Sequence, residues 1–492
     1  MKKIVLSIVA VMLSFMTMGC SDYSINGGSF NTGWTPEDIP DNPDNPDNPD
    51  DPVTPTPTGK TKRAPLYWSV YEYGRKAEIA GTNCNMPLET WQKNIDWVAD
   101  NLLPYGYNMI CTDGFMTMSG DDNAGHTYMT GYANIPLTQL VEMCKAKGLS
   151  LGIYDNPLWV HGSLDTPIEG TKYKVRSLLY DPSKDHVKNP NATGDVFTWI
   201  VPSHRGAKEY IDGFFKYYKS IGVGFIRMDF MCLFEDGIFC SGGDVVGRGY
   251  GSAEYKLALQ YIKEAATKYD VFTSIVMPNM KNHGENETQY CDMTRIVADT
   301  FEGGWDHCSN RYRGGISLDQ WPSTNNQFDG FIYWSDITGK GKIIADGDFT
   351  LIHSFDTDDE CRTSISLQLM AGGPIAVADQ YNTVGDRVKF YQNEEMLALN
   401  ADGFIGKPLT TDYKDGNSQI WWGKMSNGDV VVALFNREDR TISRGVELSQ
   451  LGISGTMKCR DLWTHTDEGE VSKVSASLPA HGCKVVRLSK PE

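Results

Sequence analysis

Basic residues are scarce in this 492-residue chain: 45 Lys and Arg stand against 63 Asp and Glu, for a formal net charge of −18. Phosphate binding needs a basic surface, so nucleic acid is excluded as a partner. A metal-binding pattern is missing too. The eleven cysteines and nine histidines are scattered, with no CxxC pair and no histidine-rich cluster, so no metal site is expected. No GxGxxG follows an apolar run, which disfavours a dinucleotide fold, and no cofactor is expected. The apolar run at the N-terminus, Ile4 to Met18, is too short for a good membrane span.

That run does have another use. Lys2-Lys3 precede it and Gly19-Cys20 follow it, the layout of an export signal over residues 1–20. Gly19-Cys20 resembles the end of a bacterial lipobox, in which the cysteine is lipidated and becomes the mature N-terminus; Thr17 stands where an aliphatic residue is usual. Cys20 is therefore the expected lipidation site. The expected location is the cell envelope, at the outer membrane or cell surface, with the membrane contacted through the lipid anchor only. Residues 21–63, with DNPDNPDNPDDPVTPTPTG, have no apolar periodicity and read as a disordered linker. Proline at every third position spoils the aspartates as a calcium loop. An exported chain can form disulfides, and Cys232 and Cys240 are close enough in sequence to pair; the other cysteines read mostly as buried thiols.

Residues 64–404 alternate short apolar runs with amphipathic helices. Strands are predicted at 66–70, 107–112, 149–154, 223–228, 271–276, 294–298 and 374–378. Helices are predicted at 88–103, 136–147, 207–221 and 255–268, and near 361–370 and 393–400. In the first of these, Trp91, Ile95, Val98 and Leu102 share one face. Repeated strand–helix units of this number favour an α/β fold, a (β/α)8 TIM barrel, over an open sheet. Residues 405–492 change character: 419–424 and 429–436 alternate around the turn Ser426-Asn427-Gly428, and 445–448, 455–461 and 483–488 add strands. They read as a C-terminal antiparallel β-sandwich.

Active sites of such barrels lie at the C-terminal ends of the strands. Here those ends carry Thr112-Asp113, Tyr154-Asp155, Arg227-Met228-Asp229, Arg295 with Asp299, and Asp346-Gly347-Asp348. A ring of carboxylates with aromatic neighbours, Trp68 and Tyr71 among them, and no metal motif suits a carbohydrate. Two of the carboxylates can do chemistry, since glycoside hydrolysis needs one to attack or activate water and one to protonate the leaving oxygen. Asp229 follows Arg227 on the same strand face, which favours its ionised form and suits a nucleophile. Asp299 has no adjacent cation in sequence and lies beside Ala298 and Phe301, so a raised pKa and the acid/base role are expected. Either aspartate alone reads equally as a loop-start cap or a surface ion pair.

These segments resemble glycoside hydrolase family 27, the α-galactosidases of clan D. GYNMICTDGF is similar to the family's second-strand segment and KGLSLGIYDN to its third. FIRMDF is similar to the nucleophile strand, QYCDMTRIVADTFEGGW to the acid/base segment, and DGDF to its Asp-Pro-Asp-Met. SISLQLMAGGPIAVAD and LNADGFIG resemble the end of the barrel, and WWGKMSNGDVVVALFNR and DLWTH the sandwich. The resemblance runs in order from about residue 65 to the end. It implies Asp229 as nucleophile, Asp299 as acid/base and a retaining double displacement. It implies Arg227 in place of the usual Lys, Arg295 and Asp348 as sugar contacts, and Asp113 as the second of two paired aspartates.

The departures concern the sugar contacts. The first paired aspartate is Thr112, the tryptophan after the pair is Phe115, and a sugar-binding Glu is Val276 within Ile275-Val276-Met277-Pro278. The aromatic expected after the first strand is Tyr71, with Asp155 a further candidate contact. Lost hydrogen-bonding groups weaken a plain galactoside. The expectation is an exo-acting glycosidase on an oligosaccharide or polysaccharide, for an α-galactoside, an α-N-acetylgalactosaminide or a β-L-arabinopyranoside. The alternative is a non-catalytic glycan-binding lipoprotein. A transglycosidase would use the same pair, and the oligomeric state stays open.

Overall fold

The structure is a computed structural model that describes residues 63–179, 197–239, 245–247, 249–310, 313–339 and 341–491. The export signal, the lipidation site Cys20, all but the end of the linker, and Cys240 lie outside the described residues. Residues 61–492 form one compact unit.

The barrel strands are β1 Leu66–Ser69, β2 Met109–Cys111, β3 Ser150–Tyr154, β4 Val223–Met228, β5 Phe272–Ile275, β6 Met293–Arg295, β7 in two pieces (Ile344–Asp346 and Phe349–Thr350), and β8 Ile375–Val377. All pairings among them are parallel. The sheet runs from the first piece of β7 through β6, β5, β4, β3, β2, β1 and β8 to the second piece of β7. Its two edges are thus one interrupted strand, and the sheet closes into the (β/α)8 ring.

Alternation decides which side chains face the ring's interior. Tyr67 pairs with Met109 on one side and Ala376 on the other, and Phe225 pairs with Gly152 and Phe272. These residues, with Cys111, Met293 and Phe349, fill the barrel. A Cβ on Gly152 would lie 2.8 Å from the Phe225 ring, so glycine there leaves space for the phenylalanine. The alternate residues Trp68, Ile110, Ile153, Ile226 and Met228 face outward into the larger core shared with the helices.

The helices form for the expected reasons. Ala207–Ile221 buries Tyr210, Ile211, Phe214, Phe215 and Tyr218 on one face and ends at Gly222, whose φ of 98° suits glycine. Asp358–Met370 starts from a capping box of Thr357 and Glu360. Among the described residues, the helices Tyr71–Ile79, Met231–Asp236, Lys281–Tyr290, Gly304–Ser309 and Gln327–Tyr333 were not expected.

The C-terminal part has a six-stranded sheet ordered 407–408, 420–424, 430–435, 483–489, 457–461, 466–471, and a pair formed by 442–447 and 473–478. Val432, Leu434, Val446, Leu448, Val474, Val486 and Leu488 fill the space between them. This is the β-sandwich. It is joined to the barrel by Arg437, which is fully buried: Nη1 donates to Asp329 at 2.9 Å, Nη2 to Asn326 at 3.1 Å and Nε to Ser309 at 2.7 Å. The nine described cysteines are free thiols, most of them buried, Cys232 included.

Candidate active site

Asp229 is the first residue beyond β4 and is half-buried. Its Oδ1 accepts the Phe230 N–H at 2.6 Å and its Oδ2 accepts the Tyr154 hydroxyl at 2.9 Å. Its backbone carbonyl accepts Asn156 Nδ2 at 2.9 Å. Phe230 sits at φ 63°, a costly conformation for an aromatic residue and one that cradles the carboxylate. Tyr154 and Arg227 are register partners across β3 and β4, so the tyrosine points inward at the level of Arg227.

Asp299 lies four residues beyond Arg295, the last residue of β6, and is half-buried. Its Oδ1 accepts Arg295 Nη2 at 2.9 Å. Burial raises its pKa despite the opposing charge of Arg295. Burial also raises Asp229, to about 6, and the charge of Asp299 adds to that rise, while the Phe230 N–H, Arg227 and Tyr154 oppose it. The charge of Asp299 therefore reaches Asp229 across the same barrel mouth.

The arginine expected beside the nucleophile is elsewhere. Arg227 is 2% exposed and bonds Asp346 at 3.1 Å and Asp348 at 2.9 Å, with its guanidinium 4.6 Å from the Phe349 ring centre. Arg295 bonds Asp348 at 2.6 Å besides Asp299 and stands 5.6 Å from the Trp321 ring centre. Direct contacts differ from the sequence picture: Asp299 holds an arginine, and Asp229 is held by a tyrosine and a backbone N–H, with Arg227 opposing its rise in pKa only as a nearby charge.

The other predicted residues divide. Asp113 is at the mouth, pushed up to about 7 by burial against the pull of Arg227, with Asp229 and Asp348 adding to the rise. Tyr71 stacks on Phe349 at 4.5 Å and donates to the Phe301 carbonyl at 3.3 Å. Trp68 and Asp155 are corrections. Trp68 follows the inward Tyr67, so it points outward; it is fully buried against Trp91 and donates to the Asp379 carbonyl at 2.7 Å. Asp155 is fully buried and accepts Tyr218 at 2.5 Å and His161 at 2.7 Å, which places it in the outer layer as an anchor for Asn156. Both miss the mouth because alternation sends their neighbours Tyr67 and Tyr154 inward. Thr112 is also buried, accepting Tyr132 at 2.6 Å and the Tyr154 N–H at 2.8 Å. Tyr154 and Asn156 are the residues that sequence reasoning missed. Counting by twos from Gly152 along β3 would have selected Tyr154 over Asp155.

A closed barrel with two carboxylates at its mouth and a β-sandwich joined to it defines a glycoside hydrolase of the α-galactosidase type. Residues 415–488 match the alpha galactosidase C-terminal beta sandwich domain. The chain is 35% identical over 456 residues to the isomalto-dextranase of Arthrobacter globiformis, covering 87% of this chain and 67% of that protein. The structure of Arthrobacter globiformis T6 isomalto-dextranase complexed with panose superimposes with a TM-score of 0.77 at 34% identity, over 88% of this chain and 73% of that one. A family 27 β-L-arabinopyranosidase from Geobacillus stearothermophilus shares the fold, with a TM-score of 0.65 at 19% identity over 87% of this chain and 97% of that one. The chain belongs to the α-galactosidase-like glycoside hydrolases of family 27.

Proposed function

We propose that this hydrolase is a retaining, exo-acting enzyme whose substrate is a dextran-type α-1,6-glucan. The observation that carries the mechanism is the pair Asp229 and Asp299, set at one mouth with the charge of Asp299 reaching Asp229, and held by different partners. Asp229, ionised, attacks the anomeric carbon from the position set by Tyr154 and Phe230. Asp299, whose pKa burial raises, gives its proton to the leaving glycosidic oxygen. Asp299 then takes a proton from water, which displaces Asp229, and the sugar leaves with its original anomeric configuration. When Asp229 is consumed as an ester its charge disappears, which makes Asp299 easier to ionise for the second step.

The substrate reading is supported by the similarity to an isomalto-dextranase across most of the chain. Thr112 and Val276, standing where α-galactosidases place sugar-binding carboxylates, agree with it. The test is incubation with dextran, isomalto-oligosaccharides and p-nitrophenyl α-galactoside, with products followed by chromatography and the first-formed anomer by NMR. Short products of retained configuration from dextran are expected. Cleavage of the galactoside alone would remove the glucan assignment, an inverted anomer the double displacement, and an early fall in dextran viscosity the exo mode.

We propose also that Cys20 is lipidated and tethers the enzyme to the cell envelope through the linker of residues 21–63, which places hydrolysis outside the cytoplasm.

A further inference from the structure

The two pieces of β7 do not continue one alternation. Asp346 and Phe349 both face the interior, although they are three residues apart, so Gly347-Asp348 is a bulge that inserts one residue. Asp348 there has a φ of 68° and is 1% exposed. Its Oδ1 accepts Arg227 Nη2 at 2.9 Å and Arg295 Nη1 at 2.6 Å. Its Oδ2 accepts both the N–H and the hydroxyl of Thr300, each at 2.8 Å. A carboxylate has about four acceptor positions, and four donors occupy them.

Two of those donors lead to Asp299. Arg295 uses its other amino group on the Asp299 carboxylate, and Thr300 is the next residue in the chain. Asp348 therefore grips Asp299 at its side chain through Arg295 and at its backbone through Thr300. A sugar hydroxyl would have to displace one of these donors to reach Asp348, leaving a buried arginine or N–H unsatisfied.

We propose that Asp348 is a positioning residue for proton transfer, acting through Arg295 and Thr300 on Asp299, and that it makes no contact with the sugar. This departs from the sugar-contact role implied by the family resemblance, and it rests on the reading of Asp299 as acid/base.

The test compares wild type, Asp348→Asn, Thr300→Val and Asp299→Ala on two substrates: an oligosaccharide, whose leaving group needs protonation, and an activated aryl glycoside of the released sugar, whose leaving group does not. kcat/KM reports the first bond-breaking step. Asp299→Ala is expected to lose about 10²–10⁴-fold on the oligosaccharide, to keep most of its kcat/KM on the aryl glycoside, and to recover turnover with azide. Asp348→Asn is expected to show the same pattern at about 10–100-fold, within the range of impaired acid catalysis, with KM changed by less than about threefold. Equal losses on both substrates, carried by KM, would show that Asp348 touches the sugar and overturn the proposal. If Asp348→Asn does not fold, Thr300→Val, which removes one donor, decides by the same pattern: a selective loss on the oligosaccharide supports the proposal, and an equal loss or none overturns it. If Asp299→Ala shows no dependence on the leaving group, the acid/base reading fails whatever Asp348→Asn does.

Discussion

The Tyr154 hydroxyl and the Asp229 carboxylate meet at 2.9 Å from adjacent strands, and this contact opposes the rise in the Asp229 pKa. Tyr154→Phe removes the donor and keeps the ring. The Asp229 pKa should then rise above about 6, and the acid limb of kcat/KM should move to higher pH. The loss should be larger at pH 5 than at pH 7, by pH-rate profiles of both enzymes. Hydrogen bonds to charged groups are worth about 1.5–3 kcal/mol, so at least a tenfold loss is expected on the acid side.

Asp229→Asn should abolish turnover and stabilise the fold. The Asp229 pKa is about 6 when folded against about 3.9 unfolded. The folded chain therefore binds the proton more tightly, and the associated stability is present at low pH and lost as pH rises through about 6. At pH 7 the ionised carboxylate costs stability, discounted here for its partial exposure to on the order of 1–2 kcal/mol. The asparagine has no such cost. Thermal unfolding should show the variant above wild type at pH 7, with the gap closing toward pH 4.

Arg437→Met should destabilise the protein strongly, because it leaves Asp329 buried without its cation. Breaking a buried pair from one side costs about 3–5 kcal/mol. Adding Asp329→Asn should recover part of the loss, in chemical denaturation of the single and double variants.

Cys20→Ser should move the enzyme from the membrane fraction to the soluble fraction without changing kcat/KM. Fractionation of the expressing cells, with mass spectrometry of the mature N-terminus, checks it.

The strands, and the places of two aspartates beyond them, were legible because their signals are local. Val223–Met228 is an apolar run that ends in charge, and Asp229 and Asp299 each follow a strand. Which way a side chain faces was less legible. Trp68 and Asp155 drew attention as an aromatic and a charge, yet the inward positions belong to Tyr67 and Tyr154. Arg227 could be paired with Asp229 on paper only because its partners, Asp346 and Asp348, lie more than a hundred residues away. The strand 466–471, TDEGEV, is almost wholly exposed and so has no apolar alternation to read. The bulge at Gly347-Asp348 breaks the period on which strand prediction rests.

The grip of Arg437 on Ser309, Asn326 and Asp329 bears on engineering. The stretch it holds begins ten residues after the proposed proton donor, so the sandwich underwrites the catalytic half as well as its own fold. A chimera that exchanges the C-terminal module at residue 405 would sever that tie. One that carries residues 299–330 along with the module keeps the proposed donor and its distant support from the same parent.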